Sequence, residues 1–170
     1  MSAPEFSRPI DVRQTQGLVP HLVADAAERA ALATRFALVR IDRLEADLVL
    51  ARKDRAVEAT GTLSAAYVQP CAVSGEDVPV TVAEPLAFRF VPAQDRAPGD
   101  DEVELDESEL DEIEYTGTHF DLGEAVAQSL ALAIDPYLTG PQADEARRRA
   151  GLLDESDAGP FAALKALKKD

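Results

Sequence analysis

Tryptophan is absent from this chain, and Cys71 is its single cysteine. One thiol cannot close a disulfide within the chain, and it falls short of the three or four protein ligands that a structural zinc site takes. The two histidines, His21 and His119, are too few and too poorly spaced to complete such a site. Cationic residues are scarce as well: 17 Lys and Arg stand against 32 Asp and Glu, giving a net charge of −15 and a pI near 4.4. That balance argues against wrapping RNA by electrostatics, which needs clustered cations to neutralise phosphate, and favours a cationic partner. Aromatic residues are only 5% of the chain, and most of the Phe are needed by a core, so no platform for stacking bases is evident. No apolar stretch approaches the roughly 20 residues of a membrane span, and the start, MSAPEFSRPID, has no apolar core of a signal peptide. The expectation is a cytoplasmic protein with no membrane partner.

Signatures of catalysis are missing too. There is no GxSxG nucleophile elbow, no Gly-rich phosphate loop ending in GlyLysSer or GlyLysThr, no HisGluxxHis and no paired cysteine motif. Carboxylates are abundant, but a carboxylate works as an acid or base only where burial or a neighbour shifts its pKa. The expectation is therefore no enzyme, no cofactor, no metal and no small-molecule substrate. Cys71 has no histidine or lysine beside it in sequence to lower its pKa, and reads as a small packed or semi-exposed thiol.

What the chain does have is patterning. Apolar content of 46% over 170 residues suits one domain with a real core. The first ten residues, with Phe6 and Ile10 between prolines, read as an extended arm that can join a sheet edge. From Pro20 to Phe36 the Ala- and Leu-rich sequence predicts a helix, with Pro20 in its first turn, Leu22, Ala26, Ala30 and Leu32 on one face, and Asp25 paired to Arg29. The period then changes to two. Leu44, Ala46, Leu48 and Leu50 alternate with Glu45, Asp47 and Val49, and Val57, Ala59, Leu63, Ala65 and Tyr67 continue the alternation against Glu58, Thr60, Thr62 and Ser64, with a polar turn at residues 52–55 between them. Gly61 within the second run suggests a bulge or a close backbone approach. A third run, Val78 to Phe90, is interrupted by Pro85. Three strands with short connections predict an antiparallel meander or partly closed barrel in an α+β fold.

Acidic residues make up ten of the fifteen from Asp100 to Glu114. Such density cannot be core, and residues 93–112 read as a mobile acidic insertion. A specific calcium loop is not expected, because ordered calcium loops turn on a glycine and residues 100–114 contain none. Ile113 and Tyr115 alternate with Glu112 and Glu114, so the chain re-enters the sheet there. Asp121 with Glu124 three residues later predicts reciprocal helix capping, and Leu122, Val126, Leu130 and Ile134 predict a helix ended by Pro136. Residues 1–140 thus form one domain, and residues 141–170 a partly mobile helical tail. Two partner surfaces follow from charge. The acidic one is Asp100, Asp101, Glu102, Glu104, Asp106, Glu107 and Glu109, suited to a basic protein. The alternative is a basic hairpin, Arg40, Arg43, Arg52, Lys53 and Arg55, suited to direct RNA contact but diluted by interspersed carboxylates.

Taken together, DAAERAALATRFAL at residues 25–38, RLEADLVL at 43–50, GTLSAAYVQPCAVSGEDVPVTVAEPLAFRFVP at 61–92, the acidic insertion, and FDLGEAVAQSLALAIDPY at 120–137 resemble the YceD family of bacterial proteins, in the branch found in alphaproteobacteria. The resemblance covers roughly residues 6–150. It implies a noncatalytic role in accumulation of large-subunit (23S) ribosomal RNA, with a ribosomal protein or an rRNA assembly intermediate as partner. Cys71 matches the first cysteine of a pair that many relatives carry. Ser74 takes the second position here, and the second pair carried by many relatives after the capped helix is also missing, so a metal or redox role for those pairs is not implied for this chain. Cys71, Asp121 and Glu124 are then structural residues of the motif.

Overall fold

The alternating runs of the sequence become its longest elements. The computed structural model of the chain describes residues 4–93 and 111–151. Along it run β1 (Pro9–Asp11), β2 (His21–Val23), α1 (Ala26–Arg35), β3 (Arg40–Lys53), β4 (Ala56–Pro70), β5 (Asp77–Pro92), β6 (Asp111–Tyr115), β7 (His119–Asp121), α2 (Leu122–Ala133) and α3 (Ala143–Arg149). Strands β2-β3-β4-β5-β6 form one sheet in that order, and β1 pairs with β7 in a separate two-stranded sheet. The fold is α+β, with the meander of β3, β4 and β5 as expected. The sheet is open, so the barrel alternative does not hold.

Period-two patterning puts Leu44, Leu48, Leu50, Leu63, Tyr67, Phe88 and Phe90 on one buried face of the sheet. Leu32 and Ala33 of α1 and Leu122, Val126 and Leu130 of α2 join the same core. Each large apolar side chain so buried contributes roughly 1.5–3 kcal/mol before entropy is counted. The Phe90 and Phe120 rings stack with centroids 4.0 Å apart, which packs β7 against the sheet. Gly61 is a close approach and not a bulge: a Cβ there would lie 1.9 Å from the carbonyl oxygen of Asp47. The register is continuous through Gly61, and the irregularity falls between Ile41 and Arg43 instead.

Strand β5 runs unbroken through Pro79 and Pro85. The Ala93 N–H donates to the carbonyl of Tyr115 on β6, so the odd-numbered residues of β5 turn their amide side away from β4. Only Phe88 to Pro92 pair with β6, which leaves both prolines facing an open edge among the described residues. A missing N–H costs no ladder bond there, and it blunts that edge against pairing with another strand.

The first helix expected from sequence needs correction. Helix α1 starts after Asp25, not at Pro20, and residues before it are extended: the Pro20 carbonyl accepts from Leu48 N–H, and Leu22 pairs with Ala46 in the sheet. The start is fixed by a capping box, with the Asp25 carboxylate taking Glu28 N–H and the Glu28 carboxylate taking Asp25 N–H. Asp25 is therefore committed to the cap, Arg29 donates to the Ala24 carbonyl, and Ala26 and Ala30 are exposed while Leu32 and Ala33 face the core. The N-terminal arm pairs with β7 in the two-stranded sheet. Finally, β6 pairs with β5 in parallel. Parallel pairing requires a connection of about a dozen residues or more, and eighteen residues, among them most of the acidic run, separate Pro92 from Asp111.

Candidate functional site

The acidic residues Asp100, Asp101, Glu102, Glu104, Asp106, Glu107 and Glu109 lie outside the described residues. The two ends of their segment are fixed. Pro92 closes β5 opposite Tyr115, Asp111 opens β6 opposite Phe88, and the Tyr115 hydroxyl donates to the Arg55 carbonyl at 2.7 Å, tying β6 to the β3–β4 turn. That turn is tight, with Lys53 paired to Ala56 across Asp54 and Arg55, and Asp54 takes the left-handed conformation that Asp tolerates better than most residues.

The hairpin cations do not form one cluster. Arg40 and Arg43 sit at the start of β3 and Arg52 and Lys53 at its end, so Arg43 and Arg52 are nine residues apart, roughly 30 Å at about 3.3 Å per residue. Neighbouring carboxylates also take up their charge: Arg40 pairs with Asp42 at 2.9 Å and Lys53 with Glu58 at 2.7 Å. At the turn end, Lys53, Arg55 and Arg89 line a cleft of about 380 Å³ with Asp54, Glu112 and Glu114, and Arg89 pairs with Glu112 at 3.0 Å. Arg89 was not singled out by sequence, because nothing local places it beside the hairpin; the β4–β5 register does, by setting it opposite Glu58. Arg147 and Arg149 on α3 bond to Asp144 and Glu145 on the same helix.

Asp121 caps α2, but the reciprocal bond is not formed. Its carboxylate accepts from Glu124 N–H at 3.0 Å, Arg8 N–H at 2.8 Å and the Ser7 hydroxyl at 2.6 Å. Glu124 turns instead to the Arg35 guanidinium, which also reaches Glu5. Arg35 holds the Glu124 carboxyl below its ordinary value. Both residues therefore fasten the N-terminal arm and α1 to α2, a structural task. Gly123 completes the joint, since a Cβ there would lie 2.4 Å from the Phe6 carbonyl oxygen.

Cys71 is buried, and its surroundings differ from the sequence expectation. Its sulfur accepts N–H bonds from Val73 at 3.5 Å, Ser74 at 3.3 Å and Gly140 at 3.3 Å. The Ser74 hydroxyl first, then these amides, bring the thiol down from 9.0 to about 6. Sequence adjacency of His or Lys was the wrong test; a Cys opening a turn closed by Gly75 at φ +74° was the available signal. The donor set does not fit a metal, because no three His, Cys, Asp or Glu side chains come together among the described residues. The histidines are also apart in the fold: His21 on β2 contacts Asp47 at 2.6 Å, and His119 on β7 contacts Thr118 at 2.9 Å. No helix among the described residues is long and apolar enough to cross a membrane.

No curated protein and no solved structure matches the chain. One family model does, described as large ribosomal RNA subunit accumulation protein YceD; it matches residues 59–168, from the inner face of β4 onward. On that match the chain belongs to the YceD family.

Proposed function

We propose that the chain is a noncatalytic ribosome-biogenesis factor of the cytoplasm that supports accumulation of 23S ribosomal RNA by holding a basic ribosomal protein or assembly partner against its acidic surface. Membership of the family supports the first half of this reading. The observation that carries the second is the charge: an excess of carboxylates that leaves −15, with ten acids in the run from Asp100 to Glu114, while Arg40, Lys53 and Arg89 are each paired to a carboxylate. The chain leaves β5 at Pro92 and re-enters the same sheet at Asp111, and Tyr115 of β6 bonds to Arg55 of the β3–β4 turn, so the residues flanking most of this run lie on one sheet beside that turn. Captured there, a basic partner is shielded from nonspecific contact with RNA. Replacing Asp100, Asp101, Glu102, Glu104, Asp106, Glu107 and Glu109 by their amides tests this. Affinity for the partner then falls and its dependence on salt flattens; unchanged affinity across salt removes the acidic run from the account.

A second reading, direct RNA contact, draws on the convergence of Lys53, Arg55 and Arg89 on one cleft. Charge reversal at Arg52, Lys53 and Arg55 abolishes RNA crosslinking on this reading, and equal crosslinking in a folded variant eliminates it.

A further inference from the structure

We infer that the turn after β4 is a metal-independent staple, in which the Cys71 sulfur joins that turn to the chain following α2 by accepting backbone N–H groups from both. A structural metal site in this place needs three or four converging ligands. The sequence supplies one thiol, and no other ligating group completes a set with it among the described residues. The acceptor capacity of the sulfur is taken up by amides instead. Val73 and Ser74 donate from the turn itself, and Gly140 donates from a segment that lies beyond the whole of β5, β6, β7 and α2.

Further bonds make the same join. Cys71 N–H donates to the Glu76 carbonyl at 2.7 Å and Gly75 N–H to the Cys71 carbonyl at 3.0 Å, which closes the turn. Ala72 N–H donates to the Leu138 carbonyl at 2.9 Å, and Gln69 Nε2 to the Asp135 carbonyl at 2.8 Å, which carries the join along to the end of α2. Gly140 suits the approach, because a Cβ there would stand 2.9 Å from Cγ2 of Val78 on the next strand. Sulfur is a weak acceptor for one amide, but three amides aimed at one buried sulfur create the positive potential that holds it. Residues from two distant parts of the chain are thus cross-linked at one atom with no ion between them.

The test uses the full chain, prepared with added zinc and dialysed, and does not depend on the partner proposed above. Its zinc content and its thermal unfolding with and without chelator are measured. Hydrogen exchange at Val73, Ser74 and Gly140 is then compared between the wild type, Cys71→Ala and Cys71→Ser. The expected results are zinc far below one ion per chain, unfolding that the chelator leaves unmoved, and exchange at the three amides about tenfold faster or more in Cys71→Ala, with the centres of β3 and β4 unchanged. Stoichiometric zinc or chelator-dependent unfolding overturns metal independence. Unchanged exchange at Gly140 overturns the staple. Should Cys71→Ala fail to fold, Cys71→Ser supplies the exchange comparison, and the zinc and chelator measurements on the wild type stand by themselves.

Discussion

The Arg8 guanidinium grips Glu28 through two bonds, Nη1 to Oε1 at 2.6 Å and Nη2 to Oε2 at 2.9 Å, and so fastens the N-terminal arm to the first turn of α1. Arg8 also donates to the Val23 carbonyl, and Glu28 at the same time closes the capping box. Both side chains are mostly shielded from solvent, so the pair is worth more than an exposed one. Arg8→Ala lowers stability by about 1–2 kcal/mol in urea unfolding. Arg8→Lys recovers little of this, because an ammonium cannot make the two parallel bonds. Full recovery in the Lys variant contradicts the bidentate role.

The same pairs set a response to acid. The hydrogen bond from Arg8 holds Glu28, and that from Arg35 holds Glu124, below the ordinary value of 4.5. A carboxyl depressed in the folded state contributes stability that is fully present above its unfolded value and lost as pH falls through the folded one. The urea midpoint therefore declines below about pH 4.5, and the decline is shallower in a Glu28→Gln, Glu124→Gln variant. Equal slopes in the two proteins rule these carboxyls out as its source.

Gly61 sits where β3 and β4 come too close for any side chain. The atom in the way is the Asp47 carbonyl oxygen, which belongs to the ladder and cannot swing aside. Gly61→Ala destabilises the protein by about 3 kcal/mol in chemical denaturation. An effect within about 0.5 kcal/mol, the level of an ordinary surface change, shows that the strands separate freely there.

Cys71 offers a spectroscopic check. Its thiolate absorbance in the far ultraviolet rises with a midpoint near pH 6, down from 9.0, because the Ser74 hydroxyl and the turn amides favour the charged form. By the sign of that shift, the stability it contributes is fully present above about pH 9 and lost as pH falls through 6. A midpoint between 8 and 9, close to the ordinary thiol value, contradicts the amide arrangement.

Much of the fold is legible before any coordinates. The alternation of Leu44 to Leu50 and Val57 to Tyr67 yields the hairpin, and the four-residue recurrence of Leu122, Val126 and Leu130 yields α2. The start of α1 was legible too, in the Asp25 and Glu28 spacing, but Pro20 drew the boundary forward. The parallel return of β6 was not, because periodicity says which face a residue takes and nothing of its partner strand. The same limit hid the sites. Asp121 and Glu124 show their capping spacing in sequence, whereas Ser7, Arg8 and Arg35 reach them only through tertiary packing. The cations near residues 40–55 look like one group in sequence, and the length of an extended strand separates them.

The central claim is a protein partner held by charge, and one measurement addresses it most directly: pull-down of the full chain from cell lysate at low and high salt, with and without RNase. The account predicts that a basic ribosomal protein is recovered at low salt, survives RNase and is lost at high salt. Recovery that RNase abolishes, with ribosomal RNA as the retained species, contradicts it.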